Sequence, residues 1–142
     1  MDDRSIKGGH FFIIFAIVLK ENFIKLNYKQ YGTSGRHIII LHGLFGTLDN
    51  WQTISRELGD RYIVTAFDLR NHGRSPHSDE FSVSVMASDV YEMMQELRIP
   101  SAVIIGHSMG GKVAMVFSMA YPAVTDGMVS IDMAPKQYMR GH

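Results

Sequence analysis

Apolar residues occur in this chain in two patterns, as short continuous runs and as longer segments with helical spacing. Continuous runs at 37–41, 62–67, 103–106 and 127–131 are rich in β-branched residues, which predicts buried strands of a parallel sheet. Residues 23–31 instead alternate between apolar and polar side chains, which indicates an edge strand with one face in solvent. The pattern therefore predicts a sheet whose inner strands are covered on both faces.

Three segments between these strands have the apolar spacing of amphipathic helices. Asp49 or Asn50 is expected to cap the first helix, which ends at Gly59, and Ser82 or Ser84 is expected to start the second. The expected apolar faces are Trp51, Ile54 and Leu58 in the first helix, Met86, Val90, Met93, Met94 and Leu97 in the second, and Met109, Val113, Val116, Phe117 and Ala120 in the third. This alternation of strands and helices predicts an α/β fold, with a doubly wound, mostly parallel sheet and helices on both faces.

The junction between the third continuous run, at 103–106, and the third helix carries the first chemical signal. Residues 106–110 read Gly-His-Ser-Met-Gly, a G-x-S-x-G pattern that lies between a predicted strand and a predicted helix. Such a tight turn forces Ser108 into a strained backbone conformation, and only small residues such as Gly106 and Gly110 fit on either side. The backbone N–H of Met109 would then point at an oxyanion formed on Ser108. The pattern predicts a nucleophile elbow.

An overlapping motif offers an alternative, because residues 106–112 also fit the phosphate-binding pattern G-x-x-x-x-G-K. Residues 129–132 would then supply the strand of a Mg²⁺ site. However, Val113 stands where such a loop places a Ser or Thr on the metal, so Mg²⁺ would lack a ligand. We therefore favour the nucleophile elbow over a nucleotide-binding loop.

A glycine-bearing loop follows the predicted strand at 37–41. It reads His-Gly-Leu-Phe-Gly, and the carboxyl ends of neighbouring parallel strands lie at the same edge of a sheet. The loop is therefore expected to supply a second backbone N–H for the oxyanion, from Leu44 or, as an alternative, from Phe45. His42 lies at the base of the loop, where we expect its imidazole to brace the backbone.

A polar loop follows the next predicted strand, over residues 68–76. Asp68 and Arg70 are expected to bind one another and nearby backbone groups, a structural role. His72 and His77 are expected to face solvent.

Composition narrows the classes of protein that fit. The chain has 142 residues, 46% of them apolar and 20% charged, which suits one globular domain. The formal net charge is zero, so nothing indicates a nucleic-acid partner. Cysteine is absent, which excludes disulfides, thiolate metal sites and a cysteine nucleophile. We expect neither a metal nor a cofactor.

Residues 1–22 are assigned to an N-terminal extension, and residues 23–142 to the domain itself. The apolar run at 11–19 is shorter than the roughly 20 residues that span a bilayer, so no membrane span is expected. A signal-peptide hydrophobic region, an extra strand and a segment foreign to the domain all fit this run. The residues before it carry no net positive charge and no small-residue cleavage site follows, so we expect a cytoplasmic location.

Four stretches carry a resemblance to a known family, namely LHGLFGTLDNW, DLRNHGRSPHS, GHSMGGKVAM and IDMAP. In this order and spacing, over residues 37–135, the chain resembles the α/β-hydrolase family, and within it the YbfF-type esterases and the abhydrolase domain-containing eleven group. The resemblance implies that Ser108 is the nucleophile and that the Met109 and Leu44 N–H groups bind the oxyanion. It also implies that the substrate is a small-molecule ester or thioester.

The same resemblance implies a Ser-acid-His triad whose acid and histidine follow later in the chain. This chain ends at His142, shortly after the last predicted strand, so residues 23–142 are expected to be the N-terminal part of a hydrolase domain that lacks both triad partners. Asp132 stands where a minority of hydrolases carry the acid, and His142 is not assigned a catalytic role. The exposed edge of the last strand is expected to favour self-association.

Two functional hypotheses remain open after these observations. The first is a serine hydrolase of carboxylic esters, and the second is a catalytically inactive hydrolase-like protein that binds or assembles.

Overall fold

The computed structural model describes residues 24–131, which form one five-stranded mixed sheet with helices on both faces. The strands are β1 (Tyr28–Tyr31), β2 (His37–Leu41), β3 (Ile63–Phe67), β4 (Ala102–His107) and β5 (Thr125–Ile131). The helices are α1 (Gln52–Leu58), α2 (Val83–Glu96) and α3 (Met109–Ala120), with 3-10 turns at Leu48–Trp51 and Pro122–Val124. The strand order is β1-β3-β2-β4-β5, and only β1 runs antiparallel to its neighbour. The predicted α/β fold with a mostly parallel sheet is confirmed.

The sheet separates two hydrophobic cores because successive side chains of a strand point to opposite faces. On β2, Ile39 and Leu41 face the core that contains α2 and α3. Ile38 and Ile40 face the smaller core that contains Leu48 and its 3-10 turn. All four β2 residues are buried, which accounts for the continuous apolar run in the sequence.

Helix α2 follows the predicted pattern closely. The Ser82 hydroxyl accepts a hydrogen bond from the backbone N–H of Val85 (3.1 Å), which makes Ser82 the N-cap. The predicted apolar residues Met86, Val90, Met93 and Met94 are all buried against the sheet. Of the two proposed starting residues, the structure therefore selects the first.

Helix α1 differs from the prediction at its start and on one face. Asp49 and Asn50 lie inside a 3-10 turn rather than at a cap, and the Asn50 side chain accepts a hydrogen bond from the Thr47 N–H (2.8 Å). A 3-10 turn has about 3.0 residues per turn, so it changes the phase of the helix that follows. Consequently Ile54 is 47% exposed while Ser55 is buried, which contradicts the predicted apolar face.

The two edge strands differ from their predicted form. β1 has only four residues, shorter than the predicted 23–31, and residue 23 lies outside the described range. β5 was expected to be buried, but Met128, Val129 and Ile131 are between 37% and 45% exposed. The reason is topological, since within residues 24–131 β5 pairs with β4 on one side only.

Candidate active site

A sharp turn joins β4 to α3. β4 ends at His107 and α3 begins at Met109, so a single residue, Ser108, joins strand to helix. Its backbone has φ 52° and ψ −113°, a strained conformation for a residue with a side chain. The strain predicted from the G-x-S-x-G pattern is confirmed, and the Ser108 side chain is exposed.

The two glycines of the motif explain how the turn fits against the sheet. A Cβ added to Gly106 would lie 2.0 Å from the carbonyl oxygen of Gly110. A Cβ added to Gly110 would lie 2.3 Å from the carbonyl oxygen of Leu41, at the end of β2. Both contacts are with backbone atoms, which have no room to move away. The helix can therefore approach the strands this closely only because both positions lack a side chain.

The Ser108 backbone is bonded on both sides while its hydroxyl is not. Its N–H donates to the carbonyl of Ile131 on β5 (3.2 Å), and its carbonyl accepts from the N–H groups of Gly111 (2.9 Å) and Lys112 (3.2 Å). Among residues 24–131 no hydrogen-bond partner contacts the Ser108 hydroxyl. The side chain is thus held in place through its backbone, with the hydroxyl directed to a neighbouring pocket.

The loop after β2 lies beside this turn. Gly46 donates its N–H to the carbonyl of Gly43 (2.9 Å), and Phe45 adopts φ 62° at the tip. Leu44, the predicted oxyanion donor, lines the same open pocket of about 380 Å³ as Ser108 and Met109. Phe45, the alternative donor, is 90% exposed and does not line this pocket. The structure therefore brings the three predicted site residues to one pocket.

His42 braces this loop, as predicted. Its Nδ1 atom lies 2.7 Å from the carbonyl oxygen of Gly43, and its Nε2 atom accepts the backbone N–H of Leu69 (2.9 Å). This pairing requires the neutral tautomer that carries its proton on Nδ1. Burial lowers the pKa of His42 below its usual value of 6.5, which agrees with a neutral ring. His42 is structural in this arrangement, and its two ring nitrogens are occupied.

Asp68 joins the loops that surround the site. Its carboxylate accepts the backbone N–H groups of Leu48 (2.8 Å) and Arg74 (2.9 Å) and the side-chain amide of Asn27 (2.9 Å). The predicted bonding of Asp68 to nearby backbone is confirmed. Its predicted pairing with Arg70 is wrong.

Arg70 binds Asp89 of α2 instead, through two hydrogen bonds of 2.6 Å and 2.8 Å, and also donates to the carbonyl of Glu80 (2.8 Å). Both charged side chains are buried, at 4% and 5% exposure. Arg70 thus reaches α2, whereas Asp68 bonds to the 3-10 turn through the N–H of Leu48. Sequence reasoning had no local signal for this pair, because the partners are separated by 19 positions.

Of the two loop histidines, one differs from expectation. His77 is exposed, as predicted, but His72 is only 8% exposed. The His72 ring packs 5.0 Å from the His42 ring and 6.1 Å from the ring of Phe81 (centroid to centroid). His72 therefore belongs to the packing beneath the site rather than to its solvent-facing surface.

The nucleotide-binding alternative is wrong. A phosphate-binding loop needs several residues between strand and helix to wrap the phosphates, and here only Ser108 separates β4 from α3.

Within residues 24–131, no three His, Cys, Asp or Glu side chains are grouped so that they could bind a metal ion. In the same part of the chain, no helix has both the length and the apolar character needed to cross a bilayer.

Comparison with known proteins agrees with this geometry. Residues 36–139 match the family model for the alpha/beta hydrolase fold. This chain belongs to the α/β-hydrolase fold family. The family predicted from the four sequence stretches is thereby confirmed.

Individual relatives include named esterases and lipases. The sn-1-specific diacylglycerol lipase ABHD11 of Xenopus laevis is 42% identical over 117 residues, which cover 79% of this chain and 37% of the relative. Esterase YbfF of Escherichia coli (strain K12) is 36% identical over 119 residues, which cover 81% of this chain and 47% of the relative. A solved structure of a marine microorganism esterase superposes with a TM-score of 0.74 at 46% identity, over 75% of this chain and 41% of that one. The chain spans less than half the length of each.

Proposed function

We propose that this α/β-hydrolase chain carries the nucleophile of a carboxylic-ester hydrolase, which acts through an acyl-enzyme on Ser108. The observation that carries the proposal is the exposed Ser108 at a one-residue, positive-φ turn, in one pocket with Leu44 and Met109. The named relatives support ester substrates, since they are an esterase and a lipase.

In the proposed reaction, the Ser108 hydroxyl oxygen attacks the ester carbonyl carbon while a histidine base takes up the hydroxyl proton. The carbonyl electrons move to the oxygen, and the N–H groups of Met109 and Leu44 donate hydrogen bonds to the resulting oxyanion. Collapse of this intermediate breaks the bond to the alcohol or thiol, which leaves with the proton. Water then hydrolyses the acyl-enzyme, which releases the carboxylic acid and restores Ser108.

The base and the acid are proposed to belong to the part of the relatives that this chain does not match. Within residues 24–131, His42 is occupied by two hydrogen bonds and His72 is packed beneath the site. Asp132 and His142, which were weighed from the sequence, lie outside the described residues. The cytoplasmic location and the lack of a nucleic-acid partner stay predictions from the sequence.

Active-site labelling tests the proposal. In the full protein that carries this sequence, a fluorophosphonate probe should label Ser108, and Ser108→Ala should abolish both labelling and ester hydrolysis. Ser118→Ala is the matched control, because the Ser118 hydroxyl donates to the Ala114 carbonyl within α3 (2.7 Å) and does not line the pocket. Labelling that persists in Ser108→Ala would contradict the assignment.

The alternative, a catalytically inactive hydrolase-like binding protein, predicts a different result. A folded full protein that neither labels nor hydrolyses any ester would support it. The 142-residue chain by itself should hydrolyse activated esters near the background rate, because a serine without a general base is a weak nucleophile. A large rate that depends on Ser108 in this chain would show that one of its own histidines acts as the base.

A further inference from the structure

The pocket beside Ser108 is apolar along one wall and carries one charged lining residue. The apolar wall is formed by Phe81, which precedes α2, and by Val83 and Met86 in the first turn of α2. The charged residue is Lys112 of α3. The sequence drew attention to Lys112 only through the nucleotide-binding motif, and the proposed ester chemistry leaves it without a role.

We propose that Lys112 binds a carboxylate carried by the substrate, so that this site prefers esters with an anionic group over neutral ones. This inference rests on the proposed ester hydrolysis and adds a substrate class to it. The ester carbonyl of the substrate must reach Ser108, and Lys112 lines the same pocket. The Lys112 ammonium group therefore contacts the far end of the same substrate molecule, which is where we place the carboxylate.

The position of Lys112 supports this role. It lies four residues after Ser108, so both residues are on the same side of the first turn of α3. The N-terminus of that helix carries a partial positive charge, which adds to the charge of the ammonium group. The Lys112 side chain is exposed, and none of the ion pairs among residues 24–131 involves it. Its charge is therefore available to a bound molecule.

The composition of the pocket restricts the substrate further. None of the other lining residues is acidic, so within the described residues nothing in the pocket wall competes for Lys112. The Phe81, Val83 and Met86 side chains would contact a hydrocarbon segment, which stabilises binding by burial of apolar area. A substrate that suits both features has a short apolar segment between its ester carbonyl and a terminal carboxylate.

Paired substrates test this proposal with the full protein. On the acyl side, the 4-methylumbelliferyl monoester of adipic acid is compared with its methyl ester, in which a neutral ester group replaces the terminal carboxylate. On the leaving-group side, 4-carboxyphenyl butyrate is compared with its methyl ester. For each pair the measured quantity is the ratio of kcat/KM, anionic over neutral.

Lys112→Met should lower one of these ratios about three- to tenfold, mainly through KM, as expected for an exposed ion pair strengthened by an apolar surrounding. Lys112→Arg should restore it, and added salt should lower it in the parent protein. Lys29→Met is the matched control, because it removes the same charge on β1, which β3 and β2 separate from β4. The substrate pair whose ratio falls shows whether the anion lies on the acyl side or on the leaving-group side of the substrate.

The outcomes separate this inference from the proposed function. Ratios that do not change in Lys112→Met, or that fall equally in Lys29→Met, would overturn the role of Lys112 while Ser108-dependent hydrolysis stands. If no ester is hydrolysed, the proposed function fails. The inference is then still tested by calorimetric binding of monomethyl adipate against dimethyl adipate in Ser108→Ala. Equal binding of the two, or binding that Lys112→Met leaves unchanged, would also overturn it.

Discussion

Replacement of Gly110 by alanine tests the close packing of α3 on the sheet. The added Cβ would lie 2.3 Å from the Leu41 oxygen and 2.5 Å from the His42 oxygen, whereas ordinary contacts begin at 3.4 Å. Both oxygens belong to the backbone at the end of β2, so α3 would have to move away from the sheet by about 1 Å. Overpacking of this kind costs about 3 kcal/mol, at the upper end of the usual range, because no flexible side chain can yield.

Alanine also favours the helix over glycine by about 1 kcal/mol, which offsets part of this cost. The expected net loss in the free energy of unfolding is therefore about 2 kcal/mol, equivalent to a fall in Tm of about 4–8 °C for a domain of about 150–250 residues. Chemical denaturation and thermal melts, followed by circular dichroism, measure both quantities in the full protein.

Gly127→Ala is the control for this experiment. A Cβ at Gly127 would lie 3.8 Å and 4.0 Å from the two methyl groups of Val103, which is ordinary contact. Its stability should match the parent or exceed it by a few tenths of a kcal/mol up to about 1 kcal/mol, since alanine restricts the unfolded chain. Equal stability of Gly110→Ala and Gly127→Ala would refute the packing argument.

Three further predictions concern other parts of the fold. Burial lowers the pKa of His42, so at acidic pH the unfolded chain takes up a proton that the folded state excludes. The free energy of unfolding should therefore fall as the pH drops below 6.5. In denaturant titrations across that range, His42→Gln should lose this dependence. Asp89→Ala should lower the free energy of unfolding by about 3–5 kcal/mol, because it leaves the buried charge of Arg70 without a partner. Lys25→Ala, which removes only the exposed pair with Glu96, should lower it by at most about 1 kcal/mol in the same assay. The 142-residue chain alone should associate through β5, and Val129→Lys should shift it toward monomer in size-exclusion chromatography with light scattering; a parent chain that is already monomeric would contradict this.

Features set by short-range sterics were predictable from the sequence. The strained conformation of Ser108 could be predicted from the glycines two positions before and after it, which leave room for so tight a turn. All of these residues lie within a five-residue segment of the chain. The buried face of α2 was equally predictable, because its apolar spacing and its Ser82 cap are both local signals.

Features set by contacts between distant segments were not predictable in the same way. Asp68 and Arg70 are two positions apart, so a pairing between them was the simplest local hypothesis, but the fold brings Asp89 to Arg70 across the sheet face. The exposure of Ile54 depends on a 3-10 turn whose four residues carry no distinct sequence signal. The apolar wall and Lys112 of the candidate pocket likewise come together only when α2 and α3 pack side by side.

The single-residue junction between β4 and α3 also limits how this region can vary in length during evolution. One inserted residue would rotate α3 by about 100° relative to the sheet. Val113, Ala114 and Phe117, which are completely buried, would then turn away from the core. An insertion beside Ser108 should therefore destabilise the whole domain, whereas a substitution at this junction leaves the phase of α3 unchanged. The loops that follow β2 and β3 contain several residues before the next helix, so a change of length there does not rotate a helix against the sheet in the same way.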